Sequence, residues 1–276
     1  MGNAVLRTRI GLGLHACLDA LRCVFTAVFF IFAMTTVVHA QQADESAKSV
    51  GAASDPTAAV NFQDLRFRYL DLGGSKFRRW YNTEGAYMVT PKLKIINELH
   101  YWDTDLSGTT ESHLESVRIK AIYLTRGPSI GKVRSRWVFG LEWIKELGDA
   151  SEGTSAGSDQ LAPFTGFGWQ LSPNDTLITL VQYFGSYEEE SGVEEVSRTG
   201  PRVIYLHSIP SRKMWFRLDD KFVIDHKAGA ATSNTLEIQI GKMLSPKFGV
   251  YVDALYQTGG FQQYDWGIGL GVRYMY

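Results

Sequence analysis

Cysteine is nearly absent: only Cys17 and Cys23 occur among the 276 residues, and both stand in the first 40. Beyond that point neither a disulfide framework nor a thiolate metal site can be built. Long apolar runs are as scarce. After Val38 none approaches the ~20 residues a helix needs to cross a bilayer, which excludes a helical membrane protein downstream. A dominant charge is missing too, with 28 basic against 29 acidic residues, so nothing points to nucleic acid. No glycine-rich phosphate loop and no metal-ligand cluster is legible, and no cofactor or metal is expected.

What the chain does have is alternation. From Trp266 to Tyr276, Trp266, Ile268, Leu270, Val272, Tyr274 and Tyr276 fall on one face, and Gly267, Gly269, Gly271, Arg273 and Met275 on the other. That strict period of two marks a strand. Eleven similar runs precede it, over about 61–72, 77–89, 93–103, 113–124, 134–147, 160–171, 176–188, 196–208, 214–226, 234–244 and 249–258. Most suit the ~9 to 11 residues that cross a bilayer as a tilted strand. A mean hydropathy of −0.12 does not conflict with this, because alternation hides a lipid face from averaging.

The two faces differ in kind. Leu65, Phe67 and Tyr69, then Ile95 and Leu99, Ile119 and Tyr123, Phe139 and Leu141, and Ile238 and Ile240 share one. The other carries Arg66, Arg68, Lys94, Glu98, Arg118, Lys120, Arg136, Glu142, Arg202, Arg217, Asp219, Lys221, Asp225, Glu237, Asp253 and Arg273. In water such a sheet would be inside out, with each unpaired buried charge costing several kcal/mol. Surrounded by lipid and enclosing a wet lumen, it is stable. The expectation is an all-β fold, a single-chain antiparallel transmembrane β-barrel of about 12 strands over residues 59–276. Two residues break the pattern: Asp220 falls on the apolar face, and Pro163 sits inside a strand. A bulge or a stretch beyond the membrane would accommodate each.

Connections alternate as well. Every second one is short and carries proline (Pro91, Pro128, Pro173, Pro210, Pro246). Those between are mostly longer and acidic or Gly/Ser-rich, as at Asp103 to Glu111, Gly148 to Asp159 and Glu188 to Glu195. Barrels of this class have tight periplasmic turns and longer outside loops. Ahead of the strands, Arg7, Arg9 and Arg22 precede the apolar run Cys23 to Val38, and Val38-His39-Ala40 supplies a cleavage site. Residues 1–40 therefore read as a secretory signal peptide, and 41–58, small and polar without period, as a disordered periplasmic leader.

The sixteen charged positions of the inner face are the candidate lumen lining. Most of them are expected to be satisfied by neighbours across the wall. Their sign alternates most clearly along Arg217-Leu-Asp219-Asp-Lys221-Phe-Val-Ile-Asp225. Twelve strands fall between barrels filled by their own side chains and barrels with an aqueous channel, implying a narrow passage in which charge selects small solutes. Two other readings compete. A lipid-modifying enzyme needs a nucleophile beside a histidine base, and the candidates, His113 with Ser116 and His207 with Ser208, point apart on a regular strand, so no catalytic residue is assigned. A receptor or structural barrel would have a plugged lumen. The acidic run Glu188-Glu189-Glu190 is expected to be a solvated face rather than a cation site.

Two resemblances add to this. Gly271, Tyr274 and Tyr276 resemble the C-terminal recognition signal of bacterial outer-membrane β-barrels. That resemblance implies the bacterial outer membrane with its lipid, and the barrel assembly machinery as a partner. From Leu161 onward, Pro163, Gly166-Phe-Gly168, Gly200-Pro-Arg202, Pro210, Trp215, Asp219, Gly241-Lys-Met-Leu-Ser-Pro246 and Trp266-Gly-Ile-Gly269 resemble outer-membrane channel proteins of the phenol meta-pathway type, associated with aromatic-compound degradation. This implies transport of small solutes, hydrophobic ones among them. It carries over no binding residue.

Overall fold

A computed structural model describes Val50 and residues 55–276. The expected signal peptide and most of the expected leader lie outside the described residues. Twelve strands are present: β1 (Phe62–Gly73), β2 (Lys76–Thr90), β3 (Leu93–Thr104), β4 (Glu111–Arg126), β5 (Arg134–Glu146), β6 (Ser158–Gln170), β7 (Asp175–Glu189), β8 (Ser197–Ile209), β9 (Met214–Asp225), β10 (Ala231–Met243), β11 (Phe248–Gly259) and β12 (Trp266–Met275). Each pairs antiparallel with its neighbours in sequence, and β1 pairs with β12, so the sheet closes on itself. The seam runs from Phe62 opposite Met275 to Asp71 opposite Trp266 without a break. Closure leaves no strand edge unpaired, which is what a sheet in hydrocarbon requires.

Alternation decides the facing. Leu65, Ile119, Leu141, Val203, Val252 and Leu270 are exposed on the outer surface, while Asp64, Arg68, Lys94, Glu98, Glu142 and Asp253 are buried inside. Trp137, Phe139, Phe167 and Trp169 form one outward aromatic run, with successive centroids 4.8 to 5.2 Å apart. Rings grouped in this way suit the interfacial zone of a bilayer.

Neither pattern-breaking residue sits at a bulge. Asp220 keeps its outward place, paired in register with Leu236, and accepts a hydrogen bond of 2.6 Å from the Asn234 side chain beside it. At Pro163 the ladder to β7 is interrupted between Leu161 and Phe164, as a residue without an N–H demands, while pairing to β5 continues. The β6 bulge sits instead at Asp159/Gln160.

β12 is nearly bare inside. A side chain at Gly269 would meet those of Asp253 and Arg68, and one at Gly271 would meet the Tyr251 ring. These glycines make room for luminal groups of β1 and β11. The interior also has a greasy end: near the proline-bearing turns, Phe62, Ile96, Ile122, Val138, Trp215 and Met243 are buried together with Ala58 and Val60. Thr57 and Ala58, at the end of the expected leader, are buried there too.

Candidate functional site

The sixteen charged candidates all lie on the inward face, and the barrel sorts thirteen of them into ion pairs. Across the seam, Arg273 grips Asp64 with Nε 2.6 Å and Nη2 2.5 Å from the two carboxylate oxygens. Further along, Arg68 donates to Asp253 at 3.0 and 3.2 Å and lies 2.7 Å from Glu237. Glu237 also holds Arg217 at 2.6 Å, Arg217 stands 3.2 Å from Asp219, and Asp219 receives both forks of Arg202 at 2.7 and 2.6 Å. Arg66 donates to the Tyr251 hydroxyl at 3.0 Å. On the facing wall Lys120 binds Glu98 and lies 3.4 Å from Glu142; back on β8 and β9, Arg198 binds Asp225 at 2.7 Å. Bidentate Arg–carboxylate contacts of this kind are the strong form of the interaction.

Three candidates meet no carboxylate among the described residues. Lys221 stands 4.8 Å over the Phe184 ring, within the electrostatic reach of Arg202, Glu142, Arg118 and Lys120. Lys94 and Arg136, at the proline end, donate to backbone carbonyls.

The pairs are not symmetric toward the enclosed space. In Arg202–Asp219 the base is 33% exposed and the acid 3%; in Lys120–Glu98 the values are 25% and 9%. Arg118–Glu115 gives 24% against 1%, and Arg198–Asp225 31% against 8%. Carboxylates on short stems lie against the wall, and the longer cationic side chains arch over them. The remaining pairs, around Asp64, Asp253 and Glu237, are closed in on both sides. A neutral set of charges thus presents a basic surface to whatever occupies the lumen, from β4 on one side and from β8 and β9 on the other.

Several members of this network were not singled out from the sequence: Asp64, Glu84, Glu115 and Arg198. Asp64, Glu84 and Arg198 share the inward parity and were findable by it. Glu115 was not, because a bulge at His100/Tyr101 shifts the β3–β4 register and turns both Glu115 and Ser116 inward. The same bulge revises the argument that residues near His113 and Ser116 simply diverge. It sets Ser116 opposite His100, yet the Ser116 hydroxyl donates to Glu115 at 2.5 Å and accepts from Arg118 at 3.1 Å, while His100 Nε2 lies 2.9 Å from Glu98. His113 faces Glu152 at 3.1 Å, and His207 faces Asp175 at 2.8 Å. His100 Nδ1 lies 3.2 Å from the same Glu115 carboxylate that takes the Ser116 hydroxyl, and Ser208 donates to the Asn174 carbonyl; among the described residues neither serine donates to a histidine.

At the long-loop end, residues 147–157 fold toward the mouth, where Ala156 N–H donates to Glu146 at 3.1 Å and Arg78 reaches the Gly153 carbonyl at 3.4 Å. The acidic run is dispersed: Glu188 lies 3.8 Å from Lys145, Glu189 takes the Ser186 hydroxyl, and Glu190 accepts from Ala150 N–H at 3.1 Å. No metal-ligand cluster occurs among the described residues. In the same loops Glu195, 2.7 Å away, raises the Lys227 ammonium above its ordinary pKa, and the Ser151 hydroxyl and N–H hold Asp149 below its own.

The barrel is similar to several solved structures. An outer membrane channel from Pseudomonas putida F1 superposes with a TM-score of 0.60, over 79% of this chain and 95% of that one, at 6% identity. The NanC porin gives 0.54, over 77% and 98%, at 12% identity, and the KdgM porin 0.53, over 78% and 99%, at 7%. At these identities the likeness is one of fold. No family model and no curated protein matches the sequence.

Proposed function

We propose that this chain is a bacterial outer-membrane channel, a narrow passive pathway for small solutes that favours anions. The observation that carries the reading is the layering of the wall, with acids behind and bases in front in four separate ion pairs. In a confined pore the charge that reaches the solute selects it, not the sum over the wall. The KdgM porin, one of the similar barrels, is described in complex with disordered oligogalacturonate, and an acidic solute of that kind carries the sign this wall would attract. In this reading residues 1–40 are removed on export, the strand ending in Gly271, Tyr274 and Tyr276 is presented to the barrel assembly machinery, and the proline turns face the periplasm.

Planar-bilayer recording under a potassium chloride gradient tests it. The folded barrel should show a reversal potential on the chloride side, and Lys221→Glu, which removes a base without orphaning a partnered acid, should move it toward potassium. Cation preference in the unaltered chain would refute the sign. A folded, heat-modifiable barrel passing no ions at all would refute the channel.

A further inference from the structure

Lys221 departs from the pattern of the wall. The bases whose fields act on it, Arg202, Arg118 and Lys120, each stand in front of a carboxylate, while Lys221 has none among the described residues. The β8–β9 register sets Arg202 directly opposite it, and like charges opposed on one face destabilise a sheet. An anion between the two would remove that repulsion. What surrounds the ammonium is apolar. On the inner face of β8, Gly200 separates Arg198 from Arg202, and over that bare position Phe184 of β7 and Lys221 of β9 meet, with Nζ 4.8 Å from the ring centroid. Leu180, paired with Arg202, continues the apolar surface toward Ile178 and Ile204. Gln182, the polar neighbour of Gly200, turns its amide away to Glu142 at 2.7 Å.

We infer that Lys221, Arg202 and Phe184 form a binding site for a monocarboxylate on a small apolar body, an inference that rests on the anion reading of the lumen. Arg202 commits Nε and Nη2 to Asp219, which leaves both N–H groups of Nη1 beside the three of Lys221. Between them a carboxylate receives charged hydrogen bonds on both oxygens. Its body lies against Phe184 and Leu180, and Phe261, with its ring centroid 5.3 Å from the Arg198 guanidinium carbon, stands on the loop side. A hydroxylated body would give up water there for surfaces that return no hydrogen bond, and an inorganic anion would leave the ring and Leu180 uncovered. The site thus sorts anions by body, where the layered pairs sort solutes by sign.

Benzoate and gluconate test this, since they carry one charge each on an apolar and a hydroxylated body. Each potassium salt is titrated calorimetrically into the folded, heat-modifiable barrel in detergent, with empty micelles as the blank, and is added as a blocker of single-channel chloride current. Benzoate should act at concentrations about tenfold or more below gluconate. Lys221→Met should weaken benzoate about tenfold or more, and so should Gly200→Val, which sets branched carbon where the ammonium meets the ring and needs no left-handed backbone. Equal action of the two acids on an anion-preferring channel would overturn the site and leave the channel standing. Benzoate preference that survives both substitutions would do the same. A barrel that prefers cations and binds neither acid would overturn both, and one that passes no ions yet binds benzoate through Lys221 would overturn the channel alone.

Discussion

Asp64→Ala should be among the most damaging substitutions in the wall, although it changes one short side chain. Asp64 and Arg273 face each other across the β1–β12 seam, with two charged hydrogen bonds of 2.6 and 2.5 Å. Their side chains are 0% and 6% exposed, and the Tyr251 hydroxyl adds a third donor at 3.1 Å. Removing the carboxylate leaves a guanidinium shut in against Phe62, 4.1 Å from its ring, with no counter-charge across the seam. Breaking one member of a buried pair costs about 3 to 5 kcal/mol, while replacing both by apolar groups is often close to neutral. The double variant Asp64→Ala, Arg273→Met should therefore recover most of the loss. Arg79–Asp103 serves as the control: at 2.7 Å it is as short, but its arginine is 40% exposed, and Asp103→Ala should cost only about 0 to 1 kcal/mol. Urea unfolding in lipid vesicles, followed by tryptophan fluorescence, measures five proteins: the unaltered chain, Asp64→Ala, Arg273→Met, the double variant and Asp103→Ala. If Asp64→Ala costs no more than Asp103→Ala, or if the double variant loses the sum of its two singles, burial is not what gives the seam pair its weight.

Two further outcomes are expected from the same barrel. Gly241→Ala would drive a methyl group into the Trp215 indole, which is buried and donates to Gln239 at 3.0 Å; overpacking should lower stability by about 1 to 3 kcal/mol, and an unchanged urea midpoint would show that Trp215 moves freely. Deleting Tyr276 should reduce the heat-modifiable barrel recovered from outer membranes while leaving refolding in detergent intact, and unimpaired recovery in cells would remove its role in assembly.

The fold was legible because lipid outside and water inside each impose one property on one face, so every strand announces itself by parity. Its twelve runs and its seam needed no more than that. The electrostatics were half legible. Parity put Arg202, Asp219, Lys120 and Glu98 on the inner wall, but which member of a pair stands in front depends on stem length and packing, and no pattern in one strand encodes it. Glu115 was hidden for another reason: a single bulge reverses parity locally. The apolar seat of the segment ahead of β1 was least visible. Ile96, Ile122 and Val138 share the parity of Lys94, Lys120 and Arg136, and no single strand gives a reason for large apolar side chains there. Their common partner is a polar, aperiodic stretch far from them in sequence, so no local window shows the contact.

The bare inner face of β12 bears on how such a ring can be shut. Two edges must meet at the seam, and if both carried long luminal side chains, these would have to pass one another in a crowded interior. β12 brings only Arg273 and Met275 to that side, with Gly267, Gly269 and Gly271 opposite groups already supplied by β1 and β11. The final strand thus lies as a flat ribbon over groups supplied by its neighbours, with the Arg273–Asp64 pair clasping the seam. A seam built in this way separates arranging the lumen from sealing it.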